Sequence, residues 1–266
     1  MVTVVPKKVF DALNKKVTED SEKRVKFDYE DFKKKVMHYT FVKDYLKDKM
    51  IEFVGTGSGR TAYMIPKGGC VGHEDSAVCL KVANNVKGIA QNKAEVKIIE
   101  KFGGKENSCF PELFGTDSGE NISIMCEIGK KAENIDFSNF FEDFDEYKEK
   151  VFDKKAKNAF PLMIENPSDL FQALRYVKKV KRSGNAGKEE LALILENLDT
   201  IANDIPKYEP LASLFDVLFK KDAVYDLVLG DFGEINNWAF VNRNNENVLI
   251  PIDWGFTLEV ANQYYV

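Results

Sequence analysis

The chain has 266 residues, 44% hydrophobic and 30% charged, with a net charge of −5. That balance belongs to a globular chain able to bury one core, or one core split into two lobes. The acidic excess speaks against a nucleic-acid binder, which needs a basic patch, and no apolar run is long enough to span a membrane.

The opening Met1-Val2-Thr3-Val4-Val5-Pro6-Lys7-Lys8 lacks a basic segment followed by an apolar stretch, so a cytoplasmic location is expected. Cys70, Cys79, Cys109 and Cys126 form no CxxC pair, which argues for free thiols in a reducing compartment rather than a disulfide framework or a zinc site. His38 and His73 are the only histidines, so triads and histidine-based metal sites have few candidates. Both are expected to be structural. The many lysines alternate with Asp and Glu, as on solvated helix faces.

Taken in chain order, residues 6–17 read as a short helix with Pro6 near its first turn. A second helix is predicted from Asp28 to Lys49, with Phe32, Val36, Tyr39, Val42 and Leu46 on one stripe. Both precede the first strand signal, which makes residues 1–50 an N-terminal helical extension. From Ile51 the period changes. Ile51–Val54 and Thr61–Ile65 read as strands flanking Gly55-Thr56-Gly57-Ser58-Gly59. A second glycine-rich turn, residues 67–73, leads to a strand over Ala77–Ala83. There Val78, Leu80 and Val82 share one face, and Cys79, Lys81 and Ala83 the other.

A helix follows at Gln91–Phe102, then strands over Glu112–Thr116 and Asn121–Cys126. Residues 136–222 read as about four helices punctuated by Pro161, Pro167, Gly184–Gly187, Pro206 and Pro210. Trp238–Val241 and Val248–Ile252, joined by Asn242–Asn247, carry a hairpin signature. The sum is an α+β chain in two lobes, with a sheet-bearing lobe over 51–129 and a helical lobe over 130–266.

Four features carry chemistry. Lys81 lies mid-strand among apolar neighbours, where an ammonium is costly to bury without a partner. Glu95, Ile98, Ile99 and Phe102 stand at helical spacing on one face, so Glu95 points to the core side and needs a cation. The glycines of the first turn let backbone N–H groups approach a phosphate, although no Gly-Lys-Ser/Thr makes it a Walker loop. Finally, Asp231-x4-Asn236 follows an apolar run, and Ile250-Pro251-Ile252-Asp253-Trp254-Gly255 ends a strand. Asn236 and Asp253 flank a hairpin and can converge on one cation, where oxygen ligands suit magnesium.

A glycine-rich hairpin, a strand lysine, a helix glutamate, Asp-x4-Asn and Asp-x-Gly, in that order, resemble the signature set of the protein-kinase-like superfamily. Val78-Cys79-Leu80-Lys81 is similar to the Val-Ala-Ile-Lys strand of protein kinases. Gly230-Asp231-x4-Asn236 with Ile252-Asp253-Trp254-Gly255 is closest in style to aminoglycoside-type phosphotransferases. Small kinase-like proteins of bacteria and their phages share that style. The resemblance covers residues 51–130 and 225–256.

It implies a two-lobed kinase-like fold that uses ATP and Mg2+ to phosphorylate a hydroxyl on a protein or small molecule. Gly55, Gly57 and Gly59 would cover the phosphates, Lys81 would hold them, and Glu95 would fix Lys81. Asn236 and Asp253 would bind magnesium, and Asp231 would orient the accepting hydroxyl. Cys79 and Trp238 would lie above and below the adenine, with Cys126-Glu127-Ile128-Gly129 as the hinge along its edge.

The departures are specific. The glycine loop reads Gly55-x-Gly57-x-Gly59-Arg60, so either a residue is missing or Arg60 replaces the third glycine; Leu229 replaces the usual His of the catalytic loop, and Gly230 replaces the Arg before its Asp. A competing register, Asp226-x4-Asp231, makes Asp226 catalytic and Asp231 a metal ligand; Asp231 and Asn236 bring the hairpin and Asp253 into the expected order. Only Phe256–Val266 follows Asp253-Trp254-Gly255, so the helical lobe is expected to be truncated and to lack a peptide-docking platform. A pseudokinase, binding nucleotide or none, is therefore the alternative to an active enzyme.

Overall fold

A computed structural model of the chain describes residues 24–103, 109–117, 119–131, 199–200, 202–219 and 234–265. The helix expected over 6–17, most of the helical region over 136–222, and Asp226, Leu229, Gly230 and Asp231 lie outside them. The described residues fall into two compact units, one within Met1–Ile89 and Gly115–Cys126, the other within Ala90–Phe114 and Glu127–Val266.

In the first unit, the helix expected from Asp28 to Lys49 is broken into α1 (Tyr29–Lys35), a 3-10 turn over Tyr39–Phe41, and α2 (Val42–Leu46). Asp28 caps α1 by accepting the Asp31 N–H at 3.0 Å. The break sits at His38, whose backbone is extended and whose ring accepts the Thr40 N–H at 3.3 Å. The apolar stripe survives the break, because Phe32, Val36, Val42 and Leu46 are all buried. Single-residue bridges from Val25 to Lys49 and from Phe27 to Cys70 tie this segment together. The Tyr29 hydroxyl donates to the Ser123 carbonyl at 3.1 Å, and its ring lies where a Cβ on Gly115 would come within 2.6 Å. Residues 24–50 are thus built into the unit.

A five-stranded sheet in the order β1-β2-β3-β5-β4 forms the frame: β1 (Glu52–Thr56), β2 (Arg60–Ile65), β3 (Val78–Ala83), β4 (Leu113–Thr116) and β5 (Ser123–Glu127). The central β3 is buried along nearly its whole length. The helix after it, α3, spans Val86–Phe102 and starts earlier than periodicity indicates. Asn85 caps it by accepting the Gly88 N–H at 3.1 Å.

The second unit holds a three-stranded antiparallel sheet, β6 (Lys130–Lys131), β7 (Trp238–Arg243) and β8 (Glu246–Pro251). Asn244 and Asn245, at φ 53° and 67°, make the tight turn that joins β7 to β8, and asparagine tolerates that left-handed backbone. Both strands are therefore longer than the sequence pattern suggests. A 3-10 turn over Pro206–Tyr208 leads into α4 (Glu209–Phe219), with Pro210 in the first turn, where a missing N–H costs nothing. Leu258–Tyr264 forms α5, capped by Thr257. Tyr208, Leu211, Leu214, Trp238, Leu249 and Trp254 are fully buried at the centre of this unit.

Candidate functional site

The glycine-rich turn is a true hairpin. Gly57 donates to the Arg60 carbonyl at 2.8 Å, and the strands pair with a bulge between Phe53 and Gly55. Pairing continues into β3, so Gly55, Ala62 and Lys81 form one cross-strand row. Directly paired residues share a face. Lys81 is 8% exposed and therefore lies inside the protein, on the face that carries Gly55 of the hairpin. Cys79, half-buried, stands opposite Met64 on the same face.

Sequence reasoning treated Arg60 only as a departure from a glycine pattern. Strand alternation on β2 puts Arg60 on the Ala62 and Lys81 face, and it too is 8% exposed. Two buried cations on one face of one sheet are a concentration of positive charge that the alternation of Arg60 and Ala62 already contained.

The hairpin is held by the residues that follow β3. Asn84 N–H donates to the Gly59 carbonyl at 2.8 Å, and the Asn85 amide donates to the Ser58 carbonyl at 3.0 Å. The Thr61 hydroxyl donates to the Asn84 side chain at 2.8 Å and lies 2.9 Å from the Thr56 hydroxyl. Gly88 faces this turn so closely that a Cβ would lie 2.0 Å from the Gly59 oxygen.

In the second unit, β7 and β8 pair from Trp238 with Pro251 to Arg243 with Glu246. One step further, Ile252 N–H donates to the Asn237 carbonyl at 2.8 Å. Beyond that bond the ladder gives way to a 3-10 turn over Ile235–Asn237, which carries Asn236, while Asp253 follows Ile252 at the same open end of the hairpin. Asn236 is exposed and Asp253 half-buried. Asp253 accepts the Gly255 N–H at 3.2 Å. The adjoining Trp254 fixes this turn: its indole N–H donates to the Pro251 carbonyl at 3.1 Å, and its ring meets Phe110 at 4.2 Å between centroids. Trp238 is fully buried at the start of β7.

The segment expected to be a hinge starts at the end of β5. Glu127 N–H donates to the Glu112 carbonyl at 2.8 Å, and its carboxylate accepts the Glu112 N–H at 3.1 Å. Arg243 donates to that carboxylate at 2.7 Å and to the Phe110 carbonyl at 2.6 Å. Ile128 is half-buried, and at Gly129 a Cβ would come within 2.6 Å of Ala239, which explains the glycine where β6 meets β7. A cavity of 870 Å³ opens in this unit between Ile99, Pro111, Glu127, Pro206, Arg243 and Val248. It reaches Asn244 at the turn, the far end of the hairpin from Asn236 and Asp253.

Glu95 is fully buried on α3, as is Asn92 before it. It belongs to the second unit, whereas Lys81 and the glycine hairpin belong to the first. Asp231 lies outside the described residues. All four cysteines are thiols, and burial pushes Cys70 up to about 11 and Cys109 to about 12. Among the described residues no helix is long and apolar enough to cross a membrane.

No family model matches the chain, and no curated protein matches it in sequence. Among solved structures it is similar to aminoglycoside phosphotransferases. The GDP and kanamycin complex of APH(2'')-IIia is 12% identical at a TM-score of 0.35, with 82% of this chain and 72% of that chain covered. The ADP-bound aminoglycoside phosphotransferase APH(2'')-Ib is 14% identical at a TM-score of 0.31, with 82% and 69% covered. Likeness at that level says nothing of this chain's own substrates.

Proposed function

We propose that the chain is an ATP- and magnesium-dependent phosphotransferase of two-lobed kinase-like architecture, acting on a hydroxyl of a protein or small molecule. In this reading residues 1–50 extend an N-lobe of residues 51–129, and residues 130–266 belong to the C-lobe. The observation that carries it is the backbone bond from Ile252 to Asn237, which closes the base of the hairpin next to Asp253 and beside the 3-10 turn Ile235–Asn237 that carries Asn236. An amide oxygen and a carboxylate there are hard donors, and two protein ligands suit magnesium, which keeps waters and takes the rest of its shell from phosphates. When bound, the ion would offset charge on the phosphate oxygens.

The other roles follow the order of the motifs. Lys81, buried and in a row with Gly55, would hold the phosphates that the backbone of Gly55, Gly57 and Gly59 covers, with Arg60 adding charge on the same face. Glu95 would fix the Lys81 ammonium. Cys79 and Trp238 would line the adenine. Because the Glu127 N–H is taken by Glu112, the adenine edge would be met by the hinge backbone beyond it, at Ile128 and Gly129. Asp231 would accept the proton of the attacking hydroxyl as its oxygen bonds to the γ-phosphorus and ADP leaves.

Titrating ATP with and without magnesium, followed by an assay for transferred γ-phosphate, tests this. Magnesium-dependent binding with transfer supports an enzyme. Binding without transfer makes the chain a pseudokinase, the reading favoured by Arg60 in the place of a glycine. Absence of nucleotide binding overturns both nucleotide-binding readings.

A further inference from the structure

We propose that Asn85 is a positioning residue that locks the glycine hairpin to the start of α3 and so sets the affinity for the triphosphate; this rests on the phosphotransferase reading. A glycine-rich turn between two strands is intrinsically loose, because glycine gives up the most freedom on ordering. Here the turn is tied to the segment that follows β3. Asn85 uses both ends of its amide: the oxygen accepts the Gly88 N–H at 3.1 Å, capping α3, and the nitrogen donates to the Ser58 carbonyl at 3.0 Å. Asn84 adds a backbone bond to the Gly59 carbonyl at 2.8 Å. Gly88 leaves room for the approach, since any side chain there would strike Gly59.

The carbonyls of Ser58 and Gly59 are thus turned towards the helix start rather than left to rotate. A turn with its carbonyls held in this way keeps one orientation towards a ligand before the ligand arrives, which removes an ordering cost from binding. An adenosine without phosphates gains nothing from this. ATP does.

The two ends of the amide can be separated. Asn85→Asp keeps the helix cap, since Asp and Asn cap equally well, but loses the donor to Ser58 and sets oxygen against oxygen. Asn85→Ser, another good cap with shorter reach, guards against a fault peculiar to the added charge. The experiment measures equilibrium binding of ATP with magnesium and of adenosine, amide hydrogen exchange at Gly57 and Asn84, and thermal unfolding, with Lys81→Met as reference.

The expected result is ATP affinity weaker by about three- to tenfold in Asn85→Asp and Asn85→Ser, the range of one lost hydrogen bond. Adenosine affinity should hold, the melting temperature should fall by no more than one lost hydrogen bond accounts for, and the Gly57 and Asn84 amides should exchange faster. Wild-type ATP affinity in both Asn85 variants while Lys81→Met is impaired overturns the locking role and leaves the phosphotransferase reading standing. Unchanged exchange at Gly57 and Asn84 overturns it independently of any ligand. If Lys81→Met binds ATP like the wild type, the functional reading itself fails.

Discussion

Replacing Gly88 by alanine sets two opposed effects against each other, and the distances decide between them. Alanine in a helix is favoured over glycine by about 1 kcal/mol. The new methyl, however, would lie 2.0 Å from the Gly59 oxygen, 2.8 Å from its carbon and 3.0 Å from the Ala83 Cα. All three are backbone atoms, so no side chain can swing away. The turn or the helix must move by roughly 1 Å to restore contact distance, at about 1–3 kcal/mol for overpacking. That shift also stretches the Asn84-to-Gly59 and Asn85-to-Ser58 hydrogen bonds, each about 0.5–1.5 kcal/mol. The net expectation is a loss of about 1–4 kcal/mol, the helix gain being the smaller term. Urea unfolding should show a lower midpoint at unchanged slope. A Gly88→Ala protein as stable as the wild type would refute the close packing of the hairpin on α3.

Other substitutions probe the remaining parts. Lys81→Met should lower phosphate transfer at least about tenfold, or about 1.4 kcal/mol in barrier, with the protein still folded; unchanged turnover removes Lys81 from the phosphate site. Asp253→Asn should abolish the magnesium dependence of ATP binding, whereas Asp231→Asn should spare binding and cut transfer. If Asp231→Asn damages metal binding and Asp226→Asn damages turnover, the competing register holds instead. Arg243→Leu strands the half-buried Glu127 carboxylate and should cost about 1–3 kcal/mol, with part restored by adding Glu127→Gln; absence of that recovery in a double-mutant cycle denies the pair an energetic role.

Cys70 and Cys109 give a pH dependence with a definite sign. Burial raises both thiols above the ordinary 9.0, so the unfolded chain releases these protons first. Their contribution is full below pH 9 and is lost as pH rises towards 11–12. The urea midpoint should fall between pH 8 and 10.5, and less steeply in a Cys109→Ala variant.

Strand alternation was the most legible signal. It placed Lys81 on the Cys79 face and needed only the register of β2 to bring Gly55 alongside. Helical spacing likewise gave Glu95 an inward direction. What stayed hidden depends on individual polar and backbone contacts that periodicity does not carry. The apolar stripe from Phe32 to Leu46 fits one helix, yet His38 prefers to cap Thr40, a local polar bond that periodicity does not register. The turn of the last hairpin was read as six polar residues, whereas Asn244 and Asn245 suffice, because their left-handed backbone lets pairing run two residues further on each strand. Arg243 acquires its role only when β7 meets the Glu127 carboxylate.

The tight turn at Asn244-Asn245 also makes the hairpin a ruler for sequence drift. Each strand step away from the turn adds one residue on both sides, so Asn237 meets Ile252, the neighbour of Asp253, only while the count stays balanced. A single insertion that slips the register would bring Asn237 level with Asp253 if it fell in β7, or with Pro251 if it fell in β8. An extra residue absorbed between Asn244 and Asn245 would leave Asn237 and Ile252 where they are. Length variants of this chain that keep function should therefore gather at that turn, while the strands between it and Asp253 should keep a constant length.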